Sequence, residues 1–328
     1  MGKRTFEASE AARQPPDTSR GSDMLYDIVI VGGGPAGLSA ALALGRGRKR
    51  VLLLDAGARR NAAAQHIHNF VTRDGTPPDE FRRLGREQLA TYPNVEVRQE
   101  RVEAVSGAKG AFRLVVGSGT IGARRIILAT GMVDEMLPLE GFRELWGHAI
   151  FQCPYCHGWE VQDRAWGYLG RATDAGHFIP FAIMIRGWSR DVVAFTGGGF
   201  EVPEQGQRTL EAAGVRLETA PVARLVGADG KLEAVELVNG ARVARDVLFT
   251  HPPQRQVELV GTLGLVLDAD GLVQIDPMTR ATSVPGIHAA GDLTTRMQGA
   301  IFAAAAGAHA AAAVNGDLTT ELAASGAP

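Results

Sequence analysis

One strand-turn-helix signature near the start of the chain constrains its fold more than any other feature. Asp27 to Val31 (DIVIV) is an apolar run suited to a buried strand, and Gly32-Gly33-Gly34-Pro35-Ala36-Gly37 follows it directly, opening an Ala- and Leu-rich helical segment from Pro35 to Leu44. A G-x-G-x-x-G turn in that setting has a mechanical reading. Gly32 permits the tight turn, Gly34 lets the backbone approach a pyrophosphate, and Gly37 lets the helix pack close to the strand, while the unpaired amides at the helix start face the anion. Val51 to Asp55 (VLLLD) supplies a second buried strand. It ends in Asp55, 18 positions after Gly37, where an acid would accept a hydrogen bond from an adenosine ribose.

The same rhythm recurs downstream. Ile126 to Ala129 reads as a strand ending in Thr130-Gly131, Trp166 to Leu169 and Val192 to Phe195 as strands flanking a helix from Ala175 to Ile185, and Gly286 to Asp292 leads into an Ala-rich helix. Strand-helix alternation predicts an α/β protein with parallel sheets. At 328 residues the chain can build two cores, and a net charge of −2 argues against a nucleic-acid or polybasic membrane-surface protein. Residues 1–24 mix both charges with Pro, Ser and Gly and lack an apolar run, so they read as a disordered tail without a secretory leader. Phe178 to Ile185 and Ala300 to Val314 are too short to span a bilayer, so no membrane crossing is expected, and the expected location is the cytoplasm.

Only two cysteines occur, and they lie two residues apart in Cys153-Pro154-Tyr155-Cys156-His157. That is too few for a disulfide framework. The residues alone leave four readings open: c-type haem attachment, half of a zinc site, an inert pair, and a redox dithiol. The first needs export and the second two further ligands, so the dithiol is favoured: one sulfur attacks or releases a disulfide while the other resolves the mixed intermediate. His66 and His68 could share a strand face as metal ligands, but a loop packed beside a cofactor fits them better. Gly187-Trp188-Ser189-Arg190-Asp191 lacks the final glycine of a nucleophile elbow, so hydrolase chemistry has no support. Phe151, Tyr155, Trp159 and Trp166 surround the cysteines in sequence and would line a pocket for an apolar dithiol or pack a domain interface.

GGGPAGLSAA, the ILATG strand end at Ile127 to Gly131, GIHAAGD at Gly286 to Asp292, and CPYC together resemble the low-molecular-weight thioredoxin reductase family over residues 25–315. The resemblance implies two Rossmann-like, three-layer domains: a discontinuous FAD domain of residues 25–135 and 258–328, and a central domain of residues 136–257. It implies FAD held by Gly32, Gly34, Pro35, Ala36, Gly37, Asp55, Ala129, Thr130, Gly131 and Gly291, with Asp292 on the ribityl chain and Asn69 by the flavin. Gln298, Gly299 and Ala300 would form a helix start whose partial positive charge favours the anionic reduced flavin. It further implies that Cys156 faces the flavin, that Cys153 is the interchange thiol, and that the protein is a homodimer.

Two departures from the family matter. His157 stands where thioredoxin reductases usually carry an aspartate, and an imidazole with an ordinary pKa near ~6.5 is a better acceptor for a thiol proton than a carboxylate. CxxCH resembles the dithiol oxidases that close gliotoxin-like and holomycin-like disulfides. The second departure is the nicotinamide site. Gly170-Arg171-Ala172 replaces three glycines, Thr196-Gly197-Gly198-Gly199-Phe200-Glu201 replaces the basic segment for a 2′-phosphate, and Phe249-Thr250-His251-Pro252-Pro253 replaces Ala-Ile-Gly. The reading is therefore an FAD-dependent oxidase of a small-molecule dithiol, with O2 as acceptor and hydrogen peroxide as product, and against NAD(P)H as donor. The alternatives are a disulfide reductase driven by NAD(P)H or another donor, with a thioredoxin-like protein as partner, and a non-catalytic flavin redox sensor.

Overall fold

A computed structural model describes residues 25–172, 175–324 and 326; the expected tail of residues 1–24, and Thr173-Asp174 of the second turn, lie outside them. The first sheet has seven strands. The strand Leu25–Val31 lies between Val51–Leu54 and Gly119–Leu128, parallel to both, and Val95–Arg98 extends the parallel edge. Val29, Ile30 and Leu52 to Leu54 are at most 1% exposed, which is why these runs carry no polar alternation.

The strand Gly119–Leu128 is longer than the Ile126 to Ala129 read from sequence, and the difference has a physical origin. Its first half pairs antiparallel with Phe112–Val116, while its last three residues pair parallel with Ile287–Ala289. The charged pair Arg124-Arg125 masks the continuity, because Arg125 is fully buried and holds Asp317 and Glu321 of the C-terminal helix. Paired charges are tolerated in such a place where a lone one would not be. Val31, Leu128 and Ala289 end in register at one edge of the sheet. Three loops, Gly32 to Gly34, Ala129 to Gly131 and Ala290 to Asp292, therefore open side by side, which is where open α/β sheets bind ligands.

The helices Pro35–Arg46 and Ala300–Ala324 pack together on one face of this sheet. Their approach is close: a Cβ at Gly307 would stand 2.0 Å from the Ala36 carbonyl oxygen. A second, five-stranded parallel sheet carries Val215–Glu218, Val192–Phe195, Trp166–Leu169, Val247–Thr250 and Ile150–Phe151 in that order. A three-stranded antiparallel sheet, Val222–Ala228, Lys231–Leu237 and Arg242–Ala244, lies against it through Leu225, Val235 and Leu237. The fold class is α/β, as read. The chain crosses between the two large sheets twice, and the crossings pair as a short antiparallel ribbon, Val133–Asp134 with Gln254–Arg255. Among the described residues no helix is long and apolar enough to cross a membrane.

Candidate functional site

The first turn has the form that a dinucleotide requires. Gly32 adopts φ +113°, and a Cβ there would lie 2.3 Å from the Ala129 carbonyl oxygen, so the strand-end loops touch directly. Gly37 is closer still, 1.8 Å from the Gly32 carbonyl, whereas the space around Gly34 is open. Pro35 begins the helix with no side chain capping it, and Ala36 packs beneath Gly291. The Thr130 hydroxyl is buried without a partner beside this cradle, and Gly131, at φ +66°, borders open space. Open backbone at Gly34, free helix amides and an orphaned hydroxyl fit a bound dinucleotide.

Asp55 is occupied in a way the sequence did not suggest. Its carboxylate receives hydrogen bonds from Arg82, from Arg86 at 2.6 Å, and from the Gly57 amide at 3.1 Å. Burial alone would raise its pKa, but the Gly57 amide and the two guanidinium groups outweigh burial and hold it below the ordinary range. A Cβ on Gly33 would strike this carboxylate at 2.4 Å, so the second glycine of the motif is needed for Asp55 to sit here. Sequence reasoning missed Arg82 and Arg86, which lie on the helix Pro78–Leu89 as an i, i+4 pair.

Asp292 lies at the mouth of the third loop. Burial raises its pKa, partly offset by Arg60, which donates to its Oδ2 at 2.9 Å, and by the Gly299 amide. Gln298 joins the same network and receives a hydrogen bond from Arg60 at 2.5 Å. Ala300 opens the long helix, as expected. Asn69 lies in the loop that precedes the helix Pro78–Leu89. It is exposed at φ +59°, its backbone amide bonded to Asp74 at 2.8 Å.

Cys153 and Cys156 form a disulfide with Cα atoms 5.2 Å apart, across the first turn of the short helix Pro154–His157. That bond is what the redox dithiol reading expects, and among the described residues no group of three or more His, Cys, Asp or Glu side chains could hold a metal. His157 stacks on Phe151 with ring centroids 4.5 Å apart, and neither ring nitrogen has a partner. Burial first, and the nearby His68 second, lower its pKa to about 4. The imidazole is thus a weaker base than the free side chain. His68 itself lies between Glu160 and Asp74, at 3.4 and 3.5 Å.

The depressed pKa has a thermodynamic sign. The unfolded His157 takes up a proton below pH ~6.5 and the folded one only near pH 4, so stability present at neutral pH is lost as pH falls through that window. Between pH 7 and pH 5 this contributes about 2 kcal/mol. Urea unfolding of wild-type protein and a His157→Gln variant at both pH values measures it: the variant should lack that increment, and an equal loss in both proteins refutes the assignment.

The second turn is built differently. Gly170 is walled by aromatic rings, with a Cβ there 2.3 Å from Phe178 and 3.2 Å from Phe200. Phe200 stands edge-on to Phe178, and Phe181 bridges Tyr168 and His251 with centroids 4.5 and 4.9 Å away.

Comparison with known proteins decides the family. The family model described as pyridine nucleotide-disulphide oxidoreductase matches residues 26–200, more than half of the chain. The chain belongs to the pyridine nucleotide-disulphide oxidoreductase family. This disulphide oxidoreductase is 34% identical to thioredoxin reductase tcpT of Claviceps purpurea, over 82% of this chain and 86% of that protein. It is 30% identical to thioredoxin reductase sirT of Leptosphaeria maculans, over 89% and 94%. Among solved structures, HlmI aligns with a TM-score of 0.84 at 37% identity, over 92% of this chain and 95% of that one. The oxidoreductase from Agrobacterium tumefaciens aligns with a TM-score of 0.83 at 36% identity, over 90% and 99%. The family implies a flavin enzyme, and the open cradle at Gly34 and Thr130 fits FAD.

Proposed function

We propose that this flavoenzyme is a dithiol oxidase: it closes a disulfide in a small-molecule dithiol and passes the electrons to O2, without NAD(P)H. The observation that carries the reading is the contrast between its two turns. The first borders open space at Gly34, and the second has Ala172 at the third position of the turn and the rings of Phe178 and Phe200 against Gly170. Ala172 puts a side chain at the position where Gly34 leaves the backbone open to a pyrophosphate.

The cysteines carry the exchange. A substrate thiolate attacks Cys153, breaking the Cys153–Cys156 bond and releasing the Cys156 thiolate; the second substrate thiol then attacks the substrate sulfur bound to Cys153. The substrate leaves as a disulfide and the protein holds two electrons as a dithiol. FAD held at the Gly32 to Gly37 turn and Asp292 would supply the two-electron relay from Cys156 to O2, and the two protons of the substrate thiols complete the hydrogen peroxide. Cys153 and Cys156 begin each cycle oxidised, as they are in this structure.

His157 receives the proton of an attacking thiol. From an ordinary thiol at ~8.5 to an imidazole at about 4 the transfer is uphill by roughly 6 kcal/mol, so it proceeds only with a thiolate alongside to replace the stabilisation that burial removes. Such an arrangement returns the proton readily once the anion is consumed. Exposed Tyr155 and Trp159 flank the disulfide and offer apolar area to a compact dithiol rather than a charged one. Oxygen uptake across a panel of dithiols, with and without NAD(P)H, tests the reading. One O2 consumed per dithiol without NAD(P)H is expected; turnover that requires NAD(P)H assigns the enzyme to the reductases.

A further inference from the structure

Arg60 occupies a position for which a merely structural side chain would be over-equipped. Its guanidinium has five N–H donors, and five hydrogen bonds use them. Nε and Nη2 donate to the two oxygens of Asp134, each at 2.7 Å; Nη1 donates to Asp292 at 2.9 Å and Gln298 at 2.5 Å; Nη2 also donates to Gln152 at 3.1 Å. The Arg60 and Asp134 side chains are 15% and 6% exposed. Burial would lower the guanidinium pKa, but Asp134 and then Asp292 more than reverse this, so the group is a fixed cation.

These partners belong to three parts of the molecule. Asp292 and Gln298 lie at the loop proposed to face the flavin, and Gln152 immediately precedes Cys153. Asp134 lies in the ribbon where the chain crosses between the sheets, and Gln254, on the opposite strand of that ribbon, bonds both Asp134 and Gln298 at 3.0 Å. We propose that Arg60 is a positioning residue, a clamp that joins the flavin loop to the inter-sheet ribbon and to the disulfide segment, and so holds Cys156 against the flavin throughout turnover. The inference rests on the reading of Cys156 as the flavin-side sulfur.

Two readouts test the clamp. In FAD-free protein, hydrogen exchange at the Glu135 amide, which donates to the Pro253 carbonyl at 2.8 Å, reports the ribbon. In FAD-loaded protein with Cys153→Ser, the long-wavelength absorbance of a Cys156 thiolate lying against oxidised flavin reports the position of the sulfur. Arg60→Met should speed exchange at Glu135 at least tenfold and remove more than half of that absorbance. Arg60→Lys, which keeps the charge but loses the planar fork, should recover less than half of either loss. Unchanged exchange, faster exchange with the absorbance intact, or full recovery by lysine overturns the clamp. If Arg60→Met does not fold, Gln152→Ala decides: lower absorbance with unchanged Glu135 exchange supports the clamp, and unchanged absorbance overturns it. Neither readout needs turnover, so failure of the proposed function is distinguishable: NAD(P)H-dependent turnover would leave both effects of Arg60→Met in place, whereas Cys153→Ser protein with Arg60 intact would lack the absorbance only if Cys156 is not the flavin-side sulfur.

Discussion

Substituting serine for either Cys153 or Cys156 should lower dithiol-dependent oxygen uptake by about three orders of magnitude or more, while bound FAD stays at the wild-type level. The size of the effect follows from the chemistry. A hydroxyl can neither form the Cys153–Cys156 bond that a substrate thiolate attacks nor pass on the electron pair, and no neighbouring sulfur can substitute because the chain has only these two cysteines. The change is sterically mild. The disulfide closes a loop of only four residues, so its loss costs about 2 kcal/mol or less of stability. Oxygen-electrode rates of the two variants, normalised to flavin absorbance, make the measurement; a rate above one tenth of wild type in either variant excludes the disulfide from the reaction.

The second large effect separates two glycines of the first turn. Gly37→Ala would place a methyl 1.8 Å from the Gly32 carbonyl oxygen, a backbone atom that cannot move without displacing the strand end, and should cost about 3 kcal/mol or more of stability along with the bound flavin. Gly34→Ala meets nothing within 4 Å, so FAD-free protein should unfold at the wild-type temperature. Its methyl would instead occupy the space where a pyrophosphate approaches, and FAD affinity should fall at least ~10-fold. Thermal unfolding of FAD-free protein and FAD titration of both variants distinguish the two. Wild-type affinity in Gly34→Ala places the cofactor elsewhere.

The fold and the cradle were legible because they are written in short-range patterns. A run such as VLLLD fixes a buried strand, and glycines at fixed offsets fix the turn that follows. Other features were not legible, for reasons visible at single residues. Arg125 looks like a solvated charge but is buried, because its partners Asp317 and Glu321 lie nearly two hundred residues away. Arg60 follows Arg59 in a loop rich in Ala and Gly and gives no local sign that Asp134, Gln152 and Asp292 converge on it. Asp55 reads as a ribose acceptor from its place at a strand end 18 positions after Gly37, while Arg82 and Arg86 resemble ordinary surface charges of a polar helix. His157 reads from sequence as an imidazole of ordinary base strength, because sequence does not report the burial that lowers it. Spacing along the chain reveals local geometry; burial and long-range charge pairing appear only when the chain is folded.

The central claim is that electrons enter from a dithiol and not from a nicotinamide. Anaerobic rapid mixing of the FAD-loaded protein, first with a small dithiol and then in a separate run with NADPH, tests it most directly by following flavin absorbance. The dithiol should bleach the flavin through the Cys153–Cys156 pair, and NADPH should leave it oxidised over the same interval. Rapid bleaching by NADPH alone would contradict the account, because it would require a working nucleotide site at a second turn that carries Arg171 and Ala172 in place of glycines.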